Sequence, residues 1–300
     1  MTGPHLDLIF EPGDVKGRPT GQLRVIHAIA ICLGVVIGAG IFRTSPNVAA
    51  AVRSDQTLYA LWALGGLVSL VGALCFAELA GAFPDAGGDY HFLRLAFGQR
   101  LGFLFAWSRF AVIHTGSMAL LGFVFGDYLN ELVHLGSLGA PGFAAVTILA
   151  LVLVNLRGVK IGVGTQVALV STVLFGLLCV VASAFWFAAK GRPSLTPLTA
   201  SAELADPSDV GKAMVFIFLA YGGWSDAATL SAEMRDRRRG ILVALTIGMS
   251  GVAALYVVTN WAYLRVLGLP GLAASHAPAA DLMQAVFGTA GKVAMDVARN

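Results

Sequence analysis

Charged residues are scarce in this sequence. Asp, Glu, Lys and Arg together make up 12% of the 300 residues, whereas soluble domains carry about 25%. Hydrophobic residues make up 57%, and the mean hydropathy is +0.78. This shortage of charge excludes an ordinary water-soluble fold, and the net charge of +3 gives no reason to expect a nucleic-acid partner.

Cysteine is also scarce, and its placement excludes two further classes of protein. The three cysteines, Cys32, Cys75 and Cys179, each lie in an apolar run, and none has CxxC or Cys/His spacing. A disulfide-stapled fold and a zinc site both need such pairs. We therefore expect small thiols packed in a helix bundle, with no metal site.

Long apolar runs take the place of the missing charge. Eighteen consecutive uncharged residues separate Arg24 from Arg43, and similar runs recur along the chain. About 18 to 25 apolar residues suffice for a helix to cross a bilayer. Asp7 and Glu11 precede the first run, which argues against a cleaved leader. The runs predict seven membrane segments at 25–51, 58–83, 101–129, 139–156, 161–189, 211–233 and 241–264, then an amphipathic stretch at 279–287 and an eighth segment from about 289.

The distribution of Lys and Arg predicts the orientation, because cytoplasmic loops are enriched in both. With the N-terminus inside, eleven of these residues lie on the cytoplasmic side and five on the external side. Four of the eleven are Arg235, Arg237, Arg238 and Arg239, between the sixth and seventh segments. We expect a multi-pass protein of the plasma membrane with a cytoplasmic N-terminus, and we interpret this arginine cluster as a topology anchor.

Glycine interrupts the first segment in the stretch GVVIGAGIF, residues 34–42. The same letters contain two glycines of a dinucleotide fingerprint, but Arg43 stands where the third is needed and no strand precedes them. Gly34 and Gly38 could also serve close helix packing. Gly40, followed by Pro46, goes beyond packing and predicts a broken helix, whose free backbone groups are tolerated where they line a cavity.

The sixth segment carries a similar interruption, at Gly222 and Gly223. Breaks at corresponding positions of two halves mark the binding site of inverted-repeat transporters. A half-helix N-terminus suits a carboxylate, and the carbonyls of a half-helix C-terminus suit an ammonium group. The residues alone therefore predict a secondary transporter whose ligand is a zwitterion such as an α-amino acid.

Four motifs resemble the amino acid-polyamine-organocation (APC) superfamily of permeases, closest to its L-type-like bacterial members. They are VIGAGIFRTSP, CFAELAGAFPDAGGDYHFL, LAYGGWSDAATLSAEMRDRRR and YVVTNWAYLRVLG. The resemblance runs from about Leu23 to the end of the chain. It implies an all-α LeuT-like fold with two inverted five-helix repeats, and transport of amino acids by uptake or exchange.

The resemblance also implies a binding site built from the two breaks. Backbone N–H groups of Gly38, Ala39, Gly40 and Ile41 would hold the substrate carboxylate, and carbonyls near Val36, Ile37, Leu219 and Ala220 would hold its amine. Leu219 stands where many relatives have a gating Phe, and Ser225 where they often have Asn. The candidate substrate-binding set is Val36, Ile37, Gly38, Ala39, Gly40, Ile41, Leu219, Ala220, Tyr221, Gly222, Gly223, Trp224 and Ser225.

Three ionisable residues are candidates for coupling or gating. Glu78 and Arg109 lie inside apparent spans, where a charge is either functional or part of a stabilising ion pair. Asp226 follows the second break and either couples a proton or caps the next half-helix. Relatives use a Lys in the fifth segment for proton coupling, and Val173 takes its place here. The coupling ion, H+ or Na+, stays unassigned, and no other cofactor is expected.

The domain prediction follows the repeats: a cytoplasmic tail at 1–24, a first five-helix repeat at 25–189, an external loop at 190–210 and an incomplete second repeat at 211–300. Because two five-helix repeats are needed, we expect a truncated fold of seven to eight helices that does not transport by itself. A non-transporting amino acid receptor and a polyamine transporter are the alternatives. An enzyme is not expected, nor a disulfide-linked heavy subunit, since the loop at 130–141 has no Cys.

Overall fold

The computed structural model describes residues 25–38, 40–83, 85, 87–133, 135–157, 159–195, 206–228 and 237–288. The predicted cytoplasmic tail, the start of the eighth segment and most of the arginine cluster lie outside these residues. Within them every regular element is helical. The prediction of an all-α polytopic chain is confirmed.

Twelve α-helices follow one another along the described residues. A π-helical turn, Arg109–His114, joins α5 to α6, and a short 3-10 turn, Gly136–Leu138, precedes α7. The α-helices are α1 Val25–Val36, α2 Gly40–Ala51, α3 Asp55–Ala82, α4 Asp89–Phe97, α5 Gln99–Ser108, α6 Thr115–Val133, α7 Gly139–Leu156, α8 Val159–Ala189, α9 Pro207–Tyr221, α10 Trp224–Ala228, α11 Arg237–Ala274 and α12 Pro278–Phe287.

Five stretches of helix are long and apolar enough to cross a membrane. They are Asp55–Ala82, Gln99–Asp127, Gly136–Leu156, Gly164–Ala189 and Arg239–Ala274. The pair α1 and α2 passes the same test as a sixth span, bent by 48° at its break. The second to fifth and the seventh predicted segments thus each contain a continuous helix, and the first is broken as expected.

The helices divide into an inner group and an outer group. In α3 and α11, 39% of the most apolar window is buried inside the protein, whereas the third and fourth segments bury only 11%. Large side chains such as Phe110, Leu149 and Leu156 remain exposed on these outer helices. Since an apolar outer surface of this extent needs a nonaqueous environment, the chain is a multi-pass membrane protein.

The seventh segment is longer than the predicted 241–264. Helix α11 continues to Ala274 and bends at Gly268, whose φ of 72° precedes Pro270. The sequence prediction ended the span before the charge of Arg265. In the structure the guanidinium of Arg265 stacks over the ring of Phe187 at 5.7 Å, so the helix carries this charge without ending.

The sixth segment begins earlier than the predicted residue 211. Asp206 caps α9 by accepting a hydrogen bond from the Ser208 amide at 2.8 Å, and Pro207 occupies the first turn, where its missing N–H costs nothing. Helix α9 ends at Tyr221 and α10 begins at Trp224. The remainder of this segment, from residue 229, lies outside the described residues.

Candidate functional site

The first break separates α1 from α2. The Ile37 amide still donates to the Leu33 carbonyl at 2.7 Å, so the helical ladder runs as far as Ile37. Gly38 then leaves the helix and is exposed, and Gly40 opens α2. Ala39 lies outside the described residues. The predicted interruption is present, and it places a helix C-terminus and a helix N-terminus next to each other.

The second break consists of Gly222 and Gly223. The Gly222 amide donates to the Leu219 carbonyl at 3.4 Å, and the Asp226 amide donates to the Gly223 carbonyl at 3.1 Å. Gly223 has a φ of 98°, which a side chain tolerates poorly. This glycine turns the chain between α9 and α10.

The two breaks pack directly against each other. A Cβ added to Gly40 would lie 3.3 Å from the Cα of Ala220, and one added to Gly223 would lie 2.9 Å from the carbonyl oxygen of Val35. Each break therefore supplies a glycine where the other break approaches. The sequence predicted two breaks, and the structure joins them into one site.

The hydroxyl of Tyr256, on α11, ties the two breaks together. It donates to the carbonyl of Val36 at 3.1 Å and lies within 3.4 Å of the carbonyl of Ala220. These carbonyls end α1 and α9, where no intrahelical partner follows. Sequence reasoning missed this residue, although Tyr256 opens the YVVTNWAYLRVLG motif, because no local pattern indicates a bond across such separations.

An aromatic cluster supports this hydroxyl from behind. Trp62, Tyr221 and Tyr256 are each fully buried, with ring centroids 5.1 to 5.8 Å apart. The Tyr221 hydroxyl donates to the Trp62 carbonyl at 3.1 Å. The Tyr221 side chain thus packs in the core, although its backbone belongs to the end of α9.

A cavity of about 820 Å³ opens beside the second break. Gly222, Gly223, Trp224 and Ser225 form one wall, and α3 and α4 form the facing walls. Phe76 meets Trp224 edge-on at 5.1 Å between ring centroids. Its volume lies within the range of small-molecule sites, about 300 to 1,000 Å³, and its lining is mainly apolar.

The predicted binding residues occupy three different environments. Gly222, Gly223, Trp224 and Ser225 face the cavity. The side chains of Val36, Ile37, Ile41, Ala220 and Tyr221 are buried in the core, so only their backbone could meet a ligand. Leu219 is 66% exposed and points away from the core, which separates its side chain from the contact between the breaks.

Arg109 gathers two carboxylates at the side of the cavity. Its guanidinium donates to Asp89 at 2.5 Å and forms an ion pair with Asp226, and its Nε donates to His114 at 3.0 Å. The π-helical turn that starts at Arg109 directs the side chain. Asp89 was missed from the sequence although it lies in the GGDYHFL stretch, since nothing local pairs it with Arg109.

This cluster connects three parts of the chain: the start of α4, the turn before α6, and α10. Asp226 lies in the first turn of α10, where an acid also favours the helix dipole. Glu78 is exposed near the end of α3 and does not line the cavity. Of the three ionisable candidates, the structure thus brings Arg109 and Asp226 together.

No group of three or more His, Cys, Asp or Glu side chains among the described residues could hold a metal ion. The three cysteines are free, with Cys32 buried and Cys75 exposed. The polar chemistry of the site therefore rests on backbone groups, tyrosine hydroxyls and the cluster around Arg109.

Comparison with known proteins identifies the family. The family model described as amino acid permease matches residues 23–298. The chain belongs to the amino acid permease family. Membership agrees with the APC resemblance of the four motifs, with the all-α polytopic fold, and with paired broken helices of the LeuT-like kind.

Curated members of this permease family align along most of the chain. The serine/threonine exchanger SteT of Bacillus subtilis is 28% identical over 246 residues, covering 82% of this chain and 55% of the relative. The mouse b(0,+)-type amino acid transporter 1 is 28% identical, covering 86% of this chain and 54% of the relative. The human large neutral amino acids transporter small subunit 2 is 29% identical, covering 89% and 51%. The chain spans about half the length of the curated relatives it matches.

Proposed function

We propose that the protein takes part in secondary transport of amino acids, by uptake or exchange, and that the two breaks bind the substrate. The observation that carries the proposal is the direct contact of the breaks, with glycines at both points of approach. Backbone groups that leave a helix inside a membrane need partners. A zwitterion supplies a partner for each kind of free group.

The carboxylate would bind at the beginning of α2, on the amides of Gly38, Ala39, Gly40 and Ile41. A helix N-terminus favours an anion there. The ammonium group would bind at the ends of α1 and α9, on carbonyls of Val36, Ile37, Leu219 and Ala220. The shared Tyr256 hydroxyl supports this geometry, because it holds two of these carbonyls close together.

We infer that the substrate side chain is uncharged. The cavity beside the second break is lined mainly by apolar side chains, and its carboxylate Asp89 is already paired with Arg109. A polyamine would leave the α2 amides without an anion, which makes it the weaker alternative. The named substrates of two relatives, serine and threonine for one and large neutral amino acids for another, agree with this class.

The proposal includes a location and excludes catalysis. We propose a plasma-membrane protein with a cytoplasmic N-terminus, on the strength of the Lys and Arg distribution. It needs no organic cofactor and no disulfide-linked subunit. A membrane enzyme would need a set of acid, base or nucleophile groups around one reacting atom, and the relatives named here are transporters or exchangers.

Uptake into proteoliposomes tests the proposal. The purified protein should take up or exchange labelled L-serine, and repeating the assay with and without sodium and a pH gradient identifies the coupling ion. Gly40→Val should abolish the activity, since its added methyl groups press on Ala220. Gly164→Val is the matched control, because a Cβ there meets nothing within 4 Å.

Two results would contradict the proposal. Unchanged uptake in Gly40→Val would separate the breaks from transport. Binding of L-serine with no passage across the membrane would favour the alternative, a non-transporting amino acid receptor.

A further inference from the structure

A second, smaller pocket lies beyond the first break, toward the other end of α2. It has a volume of about 310 Å³ and is formed by α2, α6 and the turn between α11 and α12. This volume is at the lower end of the range for small-molecule sites. The pocket is large enough for a small amino acid.

The pocket presents charges of both signs on two different helices. Arg43 extends from α2 and Asp127 from α6, and both side chains are exposed. In the part of the chain that the structure describes, the two do not form an ion pair with each other. A guanidinium and a carboxylate on separate walls match the two charges of a zwitterion better than they match a simple cation or anion.

The third wall is held in place by its own hydrogen bonds. Ser275 donates to the carboxylate of Asp281 at 2.5 Å, and its hydroxyl accepts from the Ala277 amide at 3.2 Å. These bonds fix the turn that brings His276 to the pocket. The wall opposite α2 is thus ordered before any ligand arrives, which lowers the entropic cost of binding.

The pocket is also close to the first break. Arg43 follows Gly40 by three residues, about 4.5 Å along a helix that rises 1.5 Å per residue. A ligand held by Arg43 therefore lies roughly one turn from the amides that open α2. With the predicted orientation, this end of α2 faces outward.

We propose that this pocket is a separate amino acid site, in which Arg43 binds the carboxylate and Asp127 the ammonium group before the ligand reaches the breaks. The proposal rests on the proposed function for the class of ligand. It adds a second site to the one at the breaks, with its own residues and its own charges.

Equilibrium binding of tritiated L-serine to the purified protein tests this second site. The protein should bind two L-serine molecules per chain. Arg43→Gln and Asp127→Asn should each weaken one of the two by about tenfold or more, since a hydrogen bond to a charged group is lost. Arg192→Gln and Asp209→Asn, which remove equal charges outside the pocket, should leave both sites unchanged.

The Gly40→Val variant separates this proposal from the proposed function. In that variant only the outer site should remain, and adding Arg43→Gln should remove the residual binding. Two sites that both survive Gly40→Val would count against the breaks and leave the pocket supported. One site per chain in the unmodified protein, unaffected by Arg43→Gln and Asp127→Asn, would overturn the pocket proposal, and so would variants that change only the rate of uptake.

Discussion

Removing one hydroxyl, by Tyr256→Phe, probes the contact between the breaks with the least disturbance of packing. The phenyl ring keeps its place against Trp62 and Tyr221. The carbonyls of Val36 and Ala220 lose the hydroxyl that they share. Both end a helix inside the core, so no intrahelical amide replaces it.

The size of the effect follows from the burial of the lost bond. Tyr256 is fully buried, and a buried polar group left unsatisfied costs about 1 to 3 kcal/mol. We expect Tyr256→Phe to lower the free energy of unfolding by that amount. A drop of several degrees in Tm should appear in a thermal denaturation of the detergent-solubilised protein. L-serine binding should weaken about fivefold, since the two half-helix ends lose a tie worth about 1 kcal/mol.

Tyr221→Phe is the matched comparison. It also removes a buried hydroxyl, which donates to the Trp62 carbonyl at 3.1 Å. That carbonyl lies inside the continuous helix α3 and keeps its intrahelical partner. The loss of stability should therefore be smaller, about 0.5 to 1.5 kcal/mol, with no change in L-serine binding. Equal stability and equal affinity in the unmodified protein and Tyr256→Phe would refute the tie between the breaks.

Three further predictions concern the second break and its surroundings. Gly223→Ala should destabilise the protein by at least about 1 to 2 kcal/mol, because a side chain at its positive φ is strained, whereas Gly222→Ala should have a smaller effect in the same thermal assay; equal effects would contradict the geometry. Arg109→Gln and Asp226→Asn should couple by roughly 0.5 to 1 kcal/mol in a double-mutant cycle, as expected for a partly exposed pair, and strictly additive losses would argue that the pair contributes nothing. Hydrogen bonds from a backbone amide and hydroxyl two residues on lower the pKa of Asp206 from its ordinary 3.8, so its capping of α9 should be complete above that value and lost as pH falls through the lower folded-state pKa; hydrogen exchange at the start of α9 measures this, and the Asp206→Ala variant should show no such pH dependence.

Local sequence signals were sufficient to predict the helices and both breaks. Glycines in the middle of an apolar run are visible without any tertiary information, and Gly40 and Gly223 lie where the chain leaves the helix. The end of α11 was predicted ten residues too early, at 264 instead of Ala274. The charge of Arg265 suggested a loop, and its stacking on Phe187 depends on a contact between distant helices.

The contacts that organise the site could not be predicted from the sequence. The Tyr256 hydroxyl reaches carbonyls 36 and 220 residues away along the chain. Likewise, Arg109 lies 20 residues from Asp89 in the sequence. Periodicity and spacing describe neighbours on one helix, so pairings between helices become visible only when the bundle is assembled.

The recognition of both ends of a zwitterion is the central claim, and a comparison of three ligands tests it most directly. L-serine, ethanolamine and 3-hydroxypropanoate differ in that the second lacks the carboxylate and the third lacks the amine. In calorimetric titration of the purified protein, L-serine should bind, and each analogue should bind about tenfold to a hundredfold more weakly, since each forfeits a charge-assisted contact worth about 1.5 to 3 kcal/mol. Equal affinity for L-serine and either analogue would contradict the account.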